Sequence, residues 1–185
     1  WGKDVSLSTK GEGDRAAYLY GSITDFERMS RAPKELTDFT WQVDEPVLYR
    51  FGYTENNPTP IVKPGSVVLN LINNVSKNGG LLLNISPKAD GTIPDDQQQL
   101  LLAIGAWLDV NGEAIYASHP WTKFGEGMPA ARPAAAPGTA AAPETPAAPS
   151  TAQNIRFTTK GDTLYALVLV WPGAQPVVTS LATTQ

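Results

Sequence analysis

The stretch that most limits what this chain can fold into runs from Val68 to Gly112, where a helical repeat, a short apolar run and a second helical repeat follow in order. Val68, Leu69, Leu71, Ile72 and Val75 keep the i, i+3, i+4, i+7 spacing of an amphipathic helix. Pro64 and Ser66 supply its start, with Ser66 as N-cap, and Lys77 is expected in its last turn. Asn78-Gly79-Gly80 should stop it, because glycine takes the left-handed closing geometry freely. The run Leu81–Ile85 then reads as a strand covered on both faces, as in a parallel sheet. After loop chemistry at Ser86-Pro87 and Asp90-Gly91, Pro94 suits the first position of a second helix, and Asp95 and Asp96 suit its positive first turn. Leu100, Leu101, Ile104, Trp107 and Leu108 give that helix one apolar face, and Asn111-Gly112 ends it. A helix, a buried strand and a helix make an α/β chain whose functional loop follows the strand.

Several chemistries are excluded by what the chain lacks. It has no cysteine and a single histidine, His119, so disulfides, thiolate metal sites and a histidine-built zinc centre are ruled out within these 185 residues. A net charge of −4 with no Lys/Arg cluster leaves no electrostatic footprint for nucleic acid. No apolar run is long enough to span a bilayer. A chain opening on Trp1-Gly2 reads as part of a longer protein.

The remaining segments divide the chain. Residues 1–40 are polar and broken by Gly11, Gly13 and Gly21, which suggests extended loops. Trp41–Tyr53 alternates like a strand entry, and Asn56-Asn57-Pro58-Thr59-Pro60 forces a loop. A short strand is expected at Ala114–Ala117. Residues 125–153 are dominated by Ala and Pro, a composition that acts as an extended spacer rather than a core. Beyond it, Ile155–Thr158, Thr163–Trp171 and Val177–Leu181 read as strands joined by turns at Gly161-Asp162 and Pro172-Gly173. Three strands make a thin domain, so they are expected to open a larger β-sandwich. The expected organisation is 1–124, a spacer at 125–153, and 154–185.

The run Val75-Ser76-Lys77-Asn78-Gly79-Gly80-Leu81-Leu82-Leu83-Asn84-Ile85-Ser86-Pro87, then Ala89-Asp90-Gly91-Thr92-Ile93-Pro94, resembles the α-L-fucosidases of glycoside hydrolase family 29. The likeness continues through Trp107-Leu108, Asn111-Gly112-Glu113-Ala114-Ile115-Tyr116 and Pro120-Trp121, and resumes at Ile155–Ala166. The resemblance implies the C-terminal part of a (β/α)8-like barrel followed by an incomplete antiparallel β-sandwich. It also implies retaining hydrolysis of terminal α-L-fucosides by an Asp nucleophile and a Glu acid/base. The implied partners are fucosylated glycans or glycoconjugates, with no cofactor, metal, nucleic acid or membrane. Trp1-Gly2-Lys3-Asp4 resembles the segment after the family's Asn-Asp-Arg, which puts that Arg, the nucleophile and the sugar-binding histidines upstream of this sequence. Family habit and the Ala/Pro spacer suggest a secreted or periplasmic setting.

Retaining hydrolysis needs two carboxyls about 5–5.5 Å apart, one attacking and one protonating the leaving oxygen. Glu12, Asp14, Asp25 and Glu27 are the candidates in the amino-terminal region. Counting back without gaps from Trp41 through Pro33 puts Glu27 opposite the family's acid/base residue, whereas another alignment puts Leu19 there; a solvated Glu27 paired with Arg28 or Arg31 is the plainer alternative. Phe51 matches the family aromatic that packs against the fucose methyl group, a contact favoured by apolar burial. Trp41 completes the substrate-binding set, as a stacking ring or as a support beneath the active-site loop. Trp107 belongs to the core and Trp121 is open between the two. Asn84, Asp90, Glu113 and His119 are read as backbone-satisfying, turn, helix-terminus and packing residues. The acceptor patterns Asn74-Val75-Ser76 and Asn84-Ile85-Ser86 fall in regular structure and are discounted for glycosylation. A non-catalytic fucose-binding protein is the rival from another class.

Overall fold

The computed structural model describes residues 7–10, 22–55, 60–127, 154–169 and 177–181. Strands β1 (Leu7–Lys10), β2 (Ser22–Glu27), β3 (Trp41–Pro46) and β4 (Gly79–Asn84) form a parallel sheet in the order β1-β2-β3-β4. Helix α1 (Pro64–Val75) connects β3 to β4, and α2 (Asp95–Asn111) follows β4. Strands β5 (His119–Glu126), β6 (Ile155–Lys160) and β7 (Thr163–Val168) form a second, antiparallel sheet. The antiparallel sheet therefore draws its first strand from before the Ala/Pro stretch. The spacer expected from 125 starts later, since Gly125 and Glu126 belong to β5; residues 128–153, and the expected turn at Pro172-Gly173, lie outside the described residues.

The register of the parallel sheet decides which side chains share a face. Lys10 pairs with Asp25, Asp25 with Gln42, and Gln42 with Gly80, while Glu27 pairs with Asp44 and Asp44 with Leu82. Since side chains alternate along each strand, Trp41, Val43, Leu81 and Leu83 occupy the opposite face. Trp41 and Val43 are buried there. Leu81 and Leu83 pack on a core of Val47, Leu48, Val67, Val68, Ile72, Leu100 and Ile104 supplied by the loop after β3 and by both helices. Leu82, by contrast, is 49% exposed. The Leu81–Ile85 run is thus covered on one face, not two, and β2 in the supposed loop region 1–40 escapes a hydrophobic reading for the same reason.

Local chemistry shifts several element ends. The N-cap of α1 is Lys63, with Pro64 in the first turn, rather than Ser66. Lys77 lies beyond the end of α1, buried, with its Nζ donating to the Pro33 carbonyl at 3.4 Å and 5.3 Å from the Phe124 ring. Burial first, and the Arg156 charge second, bring its pKa down to about 8. The left-handed residue at that turn is Asn78 (φ 76°), which frees Gly79 and Gly80 to begin β4. Helix α2 starts at Asp95 with Pro94 as cap, and keeps both aspartates in its first turn. The strand expected at Ala114–Ala117 is instead a 3-10 turn over Gly112–Ala114 and the bend after it, and Val177–Leu181 contains a 3-10 turn at Thr179–Leu181.

The two sheets are tied through side chains. Thr158 donates to the Ala114 carbonyl at 2.8 Å, and Arg156 Nε donates to Asn73 Oδ1 at 3.2 Å. Glu113 hydrogen-bonds the Tyr165 side chain and holds its pKa up. Leu167 and Leu169 reach the helix core. Glu126 caps the Thr179–Leu181 turn, accepting from the backbone N–H groups of Thr179 (2.9 Å) and Ser180 (2.8 Å) and from both hydroxyls.

Two predictions follow from this packing. A Cβ on Gly79 would lie 2.4 Å from the buried Trp41 indole, which has no room to retreat. Gly79→Ala should therefore lower unfolding stability by about 1–3 kcal/mol in urea titrations, although alanine ordinarily improves a strand. Burial would raise the Glu126 pKa, but its Ser180 and Thr179 donors outweigh this and hold it below 4.5. A carboxyl depressed in the folded state stabilises above its unfolded pKa and ceases to do so as pH falls through its folded value. Acid titration of stability should steepen below about pH 4.5, and Glu126→Gln should flatten that part of the curve.

Candidate active site

The C-terminal ends of β2, β3 and β4 gather the residues singled out for chemistry. Glu27 is the last residue of β2, exposed, on the sheet face away from α1 and α2. The next residue, Arg28, has φ 69° and ψ 147°, a conformation that L side chains rarely take. Its N–H donates to the Asp44 carbonyl at 2.9 Å, and Met29 N–H donates to Glu45 Oε2 at 2.6 Å. The Arg28 guanidinium donates to the Tyr49 carbonyl at 3.0 Å and sits 5.9 Å from the Tyr49 ring centroid and 5.1 Å from that of Phe51. Among the described residues no ion pair joins Arg28 to Glu27.

Phe51 is half-buried in the loop after β3. Its carbonyl accepts from Ser86 Oγ at 3.3 Å, just past β4. Ser86 is in turn held by Gln97 in the first turns of α2: Gln97 Oε1 accepts the Ser86 N–H at 2.7 Å and Gln97 Nε2 donates to the Ser86 carbonyl at 3.3 Å. Gln97 is 1% exposed, so this two-point contact replaces water it cannot reach. The structure therefore brings Glu27, Arg28 and Phe51 to one end of the sheet.

Trp41 is not with them. It opens β3 at the other end of the strand, on the helix-covered face, and is 1% exposed. Its Nε1–H donates to Thr37 Oγ1 (3.0 Å) and the Lys77 carbonyl (3.2 Å), and Phe26 meets it edge-on at 6.1 Å. A ring enclosed this way offers no face to a sugar, so the stacking role is corrected to a structural one. Trp121 packs edge-to-face on Phe157 at 5.3 Å in the antiparallel sheet, and Trp107 packs against the core. Asp90 accepts from the Thr92 N–H and hydroxyl at 2.9 and 2.7 Å, as a turn aspartate should. Asn74 is fully buried and donates to the Gly80 carbonyl at 3.1 Å, which closes it to glycosylation.

Of the other carboxylates weighed, Glu12 and Asp14 lie outside the described residues, as does Leu19. Asp25 is buried and paired with Lys10 at 3.0 Å, and Lys10 also reaches Asp44 at 3.1 Å. Burial opposes the Lys10 charge, but the two aspartates prevail and raise its pKa above 10.5. One lysine thus bridges Asp25 and Asp44, and Glu45 accepts from Met29 N–H, while Glu27 is exposed at the end of β2. The Arg28 loop contacts, Gln97 and the Lys10–Asp44 contact were not anticipated. For Gln97 a signal existed: it lies three residues before Leu100 and seven before Ile104, on the apolar face of α2.

The C-terminal ends of parallel strands, where Glu27 and the Phe51 loop lie, are where barrel enzymes place their functional side chains. The α-L-fucosidase family model matches residues 6–113, and the chain belongs to that family. It is 31% identical over 156 residues to the tissue α-L-fucosidase of Bos taurus, covering 82% of this chain and 28% of that protein. It is 36% identical over 90 residues to the α-L-fucosidase of Dictyostelium discoideum, covering 48% and 20%. Among solved structures, an α-L-fucosidase superposes with a TM-score of 0.67 at 29% identity, over 89% of this chain and 31% of that one. The Thermotoga maritima α-fucosidase in complex with fucose gives 0.61 at 27% identity, over 87% and 30%. The chain spans less than a third of the length of these relatives.

Gln97→Leu tests the support beneath Phe51. It would leave the Ser86 N–H and carbonyl without their partner, at a cost of about 1–3 kcal/mol each at most. Thermal or urea unfolding should show the loss, and Gln97→Glu should recover only part of it, because a carboxylate cannot donate to the Ser86 carbonyl.

Proposed function

We propose that this sequence is the C-terminal part of the catalytic barrel of a retaining α-L-fucosidase followed by the opening of a β-sandwich, with the Ala/Pro stretch falling after the first strand of that second module. Strand β5 pairs with the later strands and would be part of that second module. Family membership supports the reading. So does the sequential β1-β2-β3-β4 order, in which each parallel strand lies beside the next, as a closing barrel requires and a doubly wound sheet does not. The substrates are then terminal α-L-fucosides on glycans or glycoconjugates, in a secreted or periplasmic setting.

In this reading Glu27 gives its proton to the leaving-group oxygen as the glycosidic bond breaks. A second carboxylate, carried outside these 185 residues, attacks the anomeric carbon and forms the glycosyl-enzyme. Glu27, now a carboxylate, takes a proton from the water that displaces the sugar and so returns to its starting state. Phe51 lines the pocket for the fucose C6 methyl. Residues 1–185 alone would then be inactive, lacking the nucleophile. The observation that carries the assignment is the position of Glu27 at a parallel strand's C-terminal end, away from the helices and free of its neighbouring arginine.

Glu27→Gln in the intact protein that carries this sequence tests it. For fucosylated glycans kcat/KM should fall by about 10²–10⁴-fold, and far less for aryl fucosides whose leaving groups need no proton. Unchanged turnover on both would remove Glu27 from the chemistry. Fucose binding without any turnover in the unsubstituted protein would favour the non-catalytic alternative.

A further inference from the structure

We infer that Arg28 is a positioning residue: its guanidinium fixes the Tyr49–Phe51 segment against the strand end that bears Glu27, and thereby sets how tightly the site grips the methyl group of its sugar. The inference rests on the proposed fucosidase site and goes beyond it, because Arg28 would touch neither the sugar nor the reacting atoms.

Three observations meet at this residue. The first is the backbone: φ 69° and ψ 147° are costly for an arginine, where glycine would be at ease. A side chain kept at such a position needs a compensating role, and strained residues gather at functional sites. The second is the engagement of the guanidinium. It donates to the Tyr49 carbonyl at 3.0 Å and stacks within 5.1 Å of the Phe51 centroid and 5.9 Å of the Tyr49 centroid. One planar cation therefore holds a carbonyl and two rings of a single loop, a combination lysine's point charge cannot reproduce. The third is the setting of the Phe51 ring. The Phe51 backbone is tied from below by Ser86, while Tyr49 is 70% exposed and Gly52 follows directly, so the guanidinium is the contact that joins the two rings of this segment to the end of β2.

The consequence is specific to the methyl group. A ring held at a fixed place discriminates a sugar with a methyl from one without it, while a loose ring fits both similarly. The test compares kcat/KM for an aryl α-L-fucoside with that for the analogue carrying hydrogen in place of the methyl. In the intact protein the fucoside should be preferred by about tenfold or more, the usual value of one such group in an apolar pocket. Arg28→Gln should shrink that preference to about threefold or less, chiefly through KM. Arg28→Gly, which relieves the backbone, should fold and show the same shrinkage. Arg28→Lys should not restore the preference. Added to Phe51→Ala, Arg28→Gln should change it no further, since both act through the one ring. A preference unchanged from the unsubstituted protein in a folded Arg28→Gln or Arg28→Gly variant overturns the inference. If Phe51→Ala itself leaves the preference intact, or Glu27→Gln leaves turnover intact, the failure belongs to the underlying site assignment instead.

Discussion

An indole ring lying directly on a glycine backbone aligns the parallel sheet. Trp41 fills the space that a side chain at Gly79 would take, and its N–H reaches across to Thr37 and to the Lys77 carbonyl. Phe26 closes its edge from β2. Asn78, left-handed between helix and strand, turns its amide onto the carbonyls of Thr37 and Phe39. The start of β3, the segment before it and the turn from α1 into β4 are thereby joined at one end of the sheet. Because this anchoring sits at the strand beginnings, the strand ends can carry loops whose side chains are chosen for chemistry rather than for alignment.

The same one-sided burial explains which elements could be read from the residues. Both helices announce themselves, since α1 and α2 each present one apolar stripe to the core. Strand β4 does too, through Leu81 and Leu83. Strands β1 and β2 do not, because parallel strands are usually recognised as unbroken apolar runs, and β2 instead alternates Thr24 and Phe26 with Asp25 and Glu27. Their free face is polar, so the pattern looks like loop. The turn at Asn78-Gly79-Gly80 was legible as a stop, but not as to which residue takes the left-handed geometry. That choice is made by tertiary contact: Gly79 must be glycine for the Trp41 ring, which leaves Asn78, the next most tolerant residue, to turn the chain.

For the site, resemblance supplied Glu27 and Phe51 where periodicity supplied neither, and the fold brings both to the same strand ends. Trp41, weighed as a stacking ring or as a support, lies elsewhere, because side-chain alternation turns it to the helix face while its neighbour Gln42 turns to the face of Asp25 and Glu27. Whether a motif tryptophan supports or touches the sugar depends on this parity, which single residues do not reveal. Gln97 was obscured by the run Asp95-Asp96-Gln97-Gln98-Gln99, where only helix phase separates the buried glutamine from its exposed neighbours. Arg28 was legible only as an ion partner for Glu27, since a positive φ at a non-glycine residue is a property of the folded backbone.

The turn after β2 shows how an exposed carboxylate can still be held at a fixed place on the backbone. The Glu27 side chain is exposed, but its backbone is held on both sides. Before it, the β2–β3 ladder runs to the Glu27–Asp44 pair. After it, the chain is tied to β3 and the loop beyond at the Asp44 carbonyl, the Glu45 carboxylate and the Tyr49 carbonyl, all within two residues of Glu27. The acid/base role proposed for Glu27, giving a proton to one oxygen and later taking one from another, calls for side-chain freedom on a held backbone. The positive φ at Arg28 belongs to the same arrangement: it turns the chain abruptly at the strand end, so the carboxylate stands at the rim while the following arginine folds back over Phe51. Relaxing that turn would restore an ordinary backbone, and the acid and the ring beside it would lose their common anchor.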